Sequence, residues 1–237
     1  MDILGVIPAR GGSKGIRRKN LAPLGGRPLL AHTCDAARGS RTLTRVMVST
    51  DDDEVAAEAM KLGIEVPFLR PAALAGDDTP MLDVLVDLLS TLAGRSSYRP
   101  GAVVLLQPTS PFRRAEHIDA AVDAFLGSGA DSVVSVVAVP HQFTPSSLMR
   151  LDGDRLVPAQ DGPAAVRRQD KPQLFARNGP AVVVIRTSVL LEQRALYGAD
   201  TRALVMSRED SLDIDDAFDL ELAELLLSAR AAGRSLA

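Results

Sequence analysis

Short apolar runs rich in β-branched residues alternate with helix-period segments over the first 139 residues, and this alternation restricts the fold more than any other feature. Ile3–Ile7, Arg45–Ser49, Ile64–Leu69, Ala102–Gln107 and Ser132–Val139 read as strands. Between them, Pro28–Arg38, Asp52–Leu62, Thr79–Leu92 and Ala115–Leu126 read as helices, with Asp51 or Asp52 available to cap the second. Strands alternating with helices of this length predict an α/β domain: a mostly parallel sheet with helices on both faces. Right-handed crossovers then put the strand-to-helix turns along one edge of the sheet. The turn after the first strand, Ser49-Thr50-Asp51 and Gln107-Pro108-Thr109-Ser110 are all predicted to lie there.

The stretch Pro140–Asn178 breaks the pattern with Pro, Gly, Gln and charge. Within it, Leu148–Val157 fits a short hairpin turning on Asp152-Gly153. A loop this long in a compact domain is usually functional or an interaction arm. Ala181–Ile185 and Ala203–Met206 then restore strand character, and Ala217–Ala231 is an amphipathic helix. The expectation is one domain over residues 1–237, with an inserted arm at about 140–178.

An apolar content of 46% is enough for a substantial core, yet no apolar run is long enough to cross a bilayer. No basic leader precedes an apolar segment, so no secretion signal is expected. Cys34 is the one cysteine, which excludes an internal disulfide and fits a reducing cytoplasm. A net charge of −3, few aromatics and no Trp argue against nucleic acid as a partner.

The strongest local signal follows the first strand: Ile7-Pro8-Ala9-Arg10-Gly11-Gly12-Ser13-Lys14-Gly15-Ile16-Arg17-Arg18-Lys19-Asn20-Leu21. Glycines let backbone N–H groups approach phosphates, while Arg and Lys neutralise charge that amides cannot. Neither the P-loop spacing nor Gly-x-Gly-x-x-Gly is present. A phosphate ligand is therefore set against a solvated basic loop.

Ser211-Leu212-Asp213-Ile214-Asp215-Asp216 is the second signal. In extended backbone, Asp213 and Asp215 point to one face. Two oxygen ligands there, with water and phosphate completing the shell, suit Mg²⁺. Against this, Asp215 or Asp216 could simply cap the last helix. Asp51-Asp52-Asp53 is better read as a helix cap than as a metal site, because a helix follows directly. Gln107 ends the most apolar strand, at the predicted ligand edge, and could bond a substrate hydroxyl or carboxylate. Arg70-Pro71 and Asp77-Asp78-Thr79 could touch a base or cap a helix, and Arg177-Asn178-Gly179 could meet an anionic substrate. Arg167–Lys171 reads as solvated surface or a contributor to an anion site. His32, His117 and His141 have no metal-ligand spacing.

Taken in order, six motifs resemble the cytidylyltransferases that activate acidic sugars, in particular the acylneuraminate branch. They are Ile7–Gly15 with Lys19-Asn20, Val48–Asp51, Leu69-Arg70-Pro71, Leu106–Pro111, Arg177-Asn178-Gly179 and Ser211–Asp215. The resemblance implies a Rossmann-like sheet of the nucleotide-diphospho-sugar transferase type and a homodimer formed through the arm. It also implies Mg²⁺-dependent transfer of CMP from CTP to a small acidic acceptor, with release of pyrophosphate. By position, Arg10, Lys14 and Lys19 would hold the triphosphate, helped by Ser13 and the amides of Gly11 and Gly12. Asn20 and Arg70 would face ribose and cytosine, Asp213 and Asp215 would bind the metal, and Gln107 would meet the acceptor. Arg10, Lys19 and Asp213 are the implied catalytic groups, and Arg177 and Asn178 complete the binding set.

The chain departs from that branch in Pro180–Val183 after Asn178-Gly179, in Leu196-Tyr197 and in Arg17-Arg18. The triphosphate and metal machinery is kept while the acceptor pocket changes. A cytidylyltransferase for a small phosphonate is therefore one alternative acceptor reading. A catalytically silent nucleotide binder is disfavoured by the presence of Lys19, Asp213 and Asp215.

Overall fold

The computed structural model describes residues 1–159, 167, 172–179 and 181–233. Strand β1 (Ile3–Pro8) is buried throughout. A 3-10 turn at Lys19–Leu21 and a small ribbon of β2 (Pro23–Leu24) and β3 (Arg27–Pro28) lead into α1 (Leu29–Gly39). Then come β4 (Arg45–Ser49), α2 (Asp53–Lys61), α3 (Met81–Ser96), β5 (Ala102–Leu105), α4 (Ala115–Ser128) and β6 (Ser132–Ala138). β7 (Met149–Asp152) and β8 (Arg155–Pro158) form the expected separate hairpin, with Gly153 at φ +64° in its turn. The chain returns through β9 (Phe175–Arg177), β10 (Val183–Arg186), α5 (Thr187–Leu191), β11 (Thr201–Met206) and α6 (Ala217–Ala231). Of the tract Arg167–Lys171 only Arg167 is described; residues 168–171 and Pro180 lie outside the described residues.

The sheet runs β11-β6-β10-β5-β1-β4, with β9 also paired to β6. β1 is parallel to β4 and β5, and β11 is parallel to β6. β10 is antiparallel to both β5 and β6, and β9 is antiparallel to β6, so the sheet is mixed but mostly parallel. Arg177 lies opposite Val136 and Val183 opposite Val134. β9 and β10 are thus two stretches of one antiparallel line along β6.

Strand alternation sends side chains to both faces. Ile3, Ile7, Val104 and Val184 pack with Leu30, Val55, Ile118 and Phe125 of α1, α2 and α4. Leu4, Val6, Val103 and Val183 pack on the other face with Leu85 and Leu88 of α3 and Val189 of α5. The Rossmann-like α/β expectation is met. One strand is not: Ile64–Leu69 contributes only a single bridge, Glu65 to Met47. Pro67 has no N–H to continue the ladder, so the segment crosses the edge without joining it. Among the described residues no helix is long and apolar enough to cross a membrane.

Candidate active site

The loop after β1 is tied down on one side by the turn after β4. The Ala9 N–H donates to the Ser49 carbonyl at 2.9 Å, and the Gly11 N–H donates to Asp51 Oδ1 at 3.0 Å. A Cβ on Gly11 would stand 2.5 Å from Asp52 Oδ2, so only glycine permits this approach. Asp52 accepts from the Glu54 and Val55 N–H groups at 2.9 Å each and caps α2, as the sequence suggests for this acidic cluster. Arg18 closes the far end of the loop, pairing with Glu54 at 2.6 Å and Asp52 at 3.2 Å.

On its other side the loop meets the segment before α6. A Cβ on Gly15 would collide with the main-chain oxygen of Asp215. The largely buried Lys19 donates to the Ile214 carbonyl at 2.8 Å and lies 3.5 Å from Asp215 Oδ1. The Asn20 amide donates to the Arg10 carbonyl at 2.8 Å and so holds the start of the loop. Ile214 is fully buried with Leu24, Leu29 and Phe112, and its N–H donates to the Thr109 carbonyl at 2.8 Å. Burying the central residue of an extended Asp-Ile-Asp leaves the flanking carboxylates on the opposite face. Asp216, one residue on, is the residue that caps α6.

Asp213 is the most tightly packed of these acids. Ser110 Oγ donates to its Oδ1 at 3.4 Å. Burial pushes its carboxyl above the usual range; the Thr109 hydrogen bond opposes this, and the charge of Asp215 adds to it. Gly179, at φ +58°, sits so close that a Cβ would lie 2.7 Å from Asp213 Oδ2. Beneath the site, the buried Arg113 guanidinium donates to the carbonyls of Gln107 at 3.0 Å and Ala181 at 2.9 Å, and to Thr33 Oγ1. Burial lowers its pKa to about 9. It braces the exit turn of β5 against the start of the β10 line.

These parts surround one cleft of about 400 Å³, lined by Arg10, Gly12, Ser13, Lys14, Lys19, Asn20, Arg70, Gln107 and Asp215 among others. Arg70 is buried and anchored on Ser49, by Nε to its Oγ at 3.2 Å and by Nη2 to its carbonyl. Asp77 contacts the cradle directly, 2.6 Å from Arg10 and 3.0 Å from Lys14.

Not every expected residue arrives here. Arg177 stacks on Tyr197, 4.7 Å from the ring centre, in a separate groove with Val134, Val136 and Ala203. Asn178 is buried beside the site: its Oδ1 accepts from Ser135 Oγ at 2.8 Å, and its Nδ2 donates to Ser211 Oγ at 2.8 Å. It positions the segment carrying Asp213 and does not line the cleft. The Gly11 amide is spent on Asp51, while Gly12 has open space around it. Asp77 and Thr109 are the contributors whose roles sequence reasoning missed. Asp77 sits in a loop without periodicity, and the Thr109 signal is hidden inside a motif that reads as a rigid turn.

Fold and cleft together define an α/β domain with a cationic cradle that shares its cleft with Asp215; Asp213, two residues earlier, is packed next to that cleft and does not line it. The model of one protein family, described as cytidylyltransferase, matches residues 4–228. The chain is 36% identical over 230 residues to a CMP-N,N'-diacetyllegionaminic acid synthase of Legionella pneumophila, covering 96% of this chain and 97% of that protein. It is 35% identical over 222 residues to an N-acylneuraminate cytidylyltransferase of Escherichia coli O18:K1:H7, spanning 93% of this chain but about half (51%) of that protein. A CMP:2-keto-3-deoxy-manno-octonic acid synthetase solved with CTP superimposes with a TM-score of 0.73 at 17% identity, covering 97% of this chain and 100% of that one. This last likeness speaks to the fold. The chain belongs to the cytidylyltransferase family.

Proposed function

We propose that this enzyme transfers CMP from CTP to a nonulosonic acid and releases pyrophosphate. An acceptor hydroxyl or oxyanion forms the new bond to the α-phosphorus, and the bond to the bridging oxygen of the leaving pyrophosphate breaks. The observation that carries the reading is the meeting of Lys19 with the Asp213–Asp215 segment across the same cleft as Arg10 and Lys14. Such transfer depends on positioning and on neutralising charge at the reacting phosphate. Arg10 and Lys14 are assigned to the outer phosphates. Lys19 is assigned to the inner ones, Asn20 and Arg70 to the nucleoside, and Gln107 to the acceptor.

The donor set fits Mg²⁺. Asp213 is partly desolvated and next to a second carboxylate, a pairing that a divalent cation relieves. Among the described residues no group of three or more His, Cys, Asp or Glu could hold a metal. The remaining ligands would therefore come from phosphate and water, as Mg²⁺ favours. Asp213 and Asp215 would hold the ion, which would polarise the reacting phosphate oxygens.

A homodimer through the 140–178 arm is supported by the apolar side chains it leaves exposed: Phe143, Leu151, Leu156 and Phe175 are each at least half exposed. Light scattering behind size exclusion reads the state, and Leu151→Asp with Leu156→Asp yields monomer if the arm is the interface. A nucleotide co-substrate and a single, buried thiol, Cys34, support a cytoplasmic setting. The relatives, both named for nonulosonic acids, lend no support to a phosphonate acceptor. Crossing the four nucleoside triphosphates with N-acylneuraminate, N,N'-diacetyllegionaminate and small phosphonates, with pyrophosphate as readout, tests the proposal. CTP with a nonulosonic acid gives the signal; turnover only with phosphonates, or with none, overturns it.

A further inference from the structure

Arg10 and Lys14, the cations assigned to the outer phosphates, already have an anion between them. Asp77 Oδ1 lies 2.6 Å from Arg10 Nη1, and Oδ2 lies 3.0 Å from Lys14 Nζ. Those are charge-assisted hydrogen-bond distances, so the carboxylate takes the donor directions that phosphate oxygens need. The cluster is partly open to solvent: the side chains of Arg10, Asp77 and Lys14 are 30%, 36% and 75% exposed. Exposed pairs of this kind add little to folding. A structural explanation for Asp77 is correspondingly weak, whereas its position in the cleft wall is direct.

We propose that Asp77 is a resident competitor for the phosphate cradle, holding Arg10 and Lys14 in place and weakening the grip on any polyphosphate that displaces it. A triphosphate carries more negative charge than one carboxylate and wins the exchange, but its net affinity is reduced by the interaction it replaces. Pyrophosphate, which uses the same two cations, is weakened by the same factor. A nucleoside monophosphate does not reach them and is unaffected. The return of Asp77 to the cations then opposes rebinding of pyrophosphate and favours its release. This inference rests on the functional reading above for naming which anion is substrate and which is product, and for assigning Arg10 and Lys14 to the outer phosphates, on which the CMP control depends.

The test is calorimetric titration of the full-length protein and of Asp77→Asn with CTP, inorganic pyrophosphate and CMP. Asp77→Asn is expected to bind CTP and pyrophosphate on the order of three- to tenfold more tightly, with CMP within twofold. Pyrophosphate becomes a correspondingly stronger product inhibitor. Asp78→Asn, which removes the same charge one residue away, leaves all three affinities unchanged. Equal gains in both variants reduce the effect to general field and overturn the proposal. So does weaker or unchanged pyrophosphate binding in Asp77→Asn and in a second variant, Asp77→Ser, which would make Asp77 an organiser of the loop. A fall in kcat with CTP affinity intact would make it a ligand of metal or acceptor and overturn the proposal equally. Pyrophosphate titration assumes nothing about base or acceptor. Tighter pyrophosphate binding without turnover of CTP would sink the functional reading and leave this inference standing.

Discussion

Gly179→Ala isolates the placement of Asp213 from everything else in the site. The new methyl would begin 2.7 Å from Asp213 Oδ2 and 2.9 Å from its Cγ. Restoring an ordinary contact moves the carboxylate by roughly 0.7 Å, and misplacement of about 1 Å costs on the order of 10²-fold in rate. The left-handed backbone at φ +58° adds about 1–2 kcal/mol for any residue with a Cβ. In a chain of this size that lowers the melting temperature by about 2–8 °C. Arg10, Lys14 and Asn20 are untouched, so the KM for CTP stays within about threefold, the change falling on a transition-state contact. Gly129→Ala is the matched control. It has φ +70° and nothing within 4 Å of its Cβ position, so it suffers the backbone cost alone and keeps its kcat. Steady-state pyrophosphate release and thermal melts on both variants decide the matter. A Gly179→Ala enzyme with kcat as high as that of Gly129→Ala refutes the claim that this carboxylate's position sets the rate.

Other substitutions separate binding, chemistry and stability. Asp213→Asn lowers kcat by on the order of 10²–10³-fold with CTP affinity within a few-fold, and unchanged turnover removes it from the chemistry. The same variant melts higher than the parent in chelator at neutral pH. The folded carboxyl is held above its unfolded value, first by burial, so ionisation penalises the fold from the ordinary carboxylate range upward. At a pH below that range both forms are neutral and the gain disappears; a lower melting temperature at neutral pH contradicts this. Lys19→Ala cuts kcat/KM for CTP by on the order of 10²-fold, and a near-parental value means the basic loop is surface only. Asp119 behaves oppositely to Asp213. Burial raises its carboxyl, but donors from Ser40, Thr42 and Arg41 outweigh burial and hold it below the ordinary range. Its stabilisation is present above the ordinary carboxylate range and lost as pH falls through the folded value, so Asp119→Asn lowers the melting temperature at pH 7 and narrows the gap to the parent in acid.

Much of the framework is legible because periodicity reports burial. β1 and β5 are buried along their whole length and lie inside the sheet, as does β6 over its first five residues, and Asp52 caps α2 just where the strand pattern gives way. Ile64–Leu69 misleads because its β-branched composition suits a strand while Pro67 cannot donate to a ladder. The direction of β10 is not readable at all, since it depends on how the chain rejoins the sheet after an irregular arm. In the site, Arg10, Lys19 and Asp213 stand out by residue type and spacing. Asp77 does not, because its partnership with Arg10 and Lys14 joins loops more than sixty residues apart. Asn178 shows the converse: its motif marks a position that matters, but the role is to hold Ser211 from behind.

A crystal structure of the enzyme with CTP and Mn²⁺, the metal located by anomalous scattering, tests most directly whether loop and aspartates serve one ligand. The expected result is a triphosphate spanning Arg10, Lys14 and Lys19, with the metal between its phosphate oxygens and the carboxylates of Asp213 and Asp215. A nucleotide lodged instead against Arg177 and Tyr197, or a metal remote from Asp213, would contradict it.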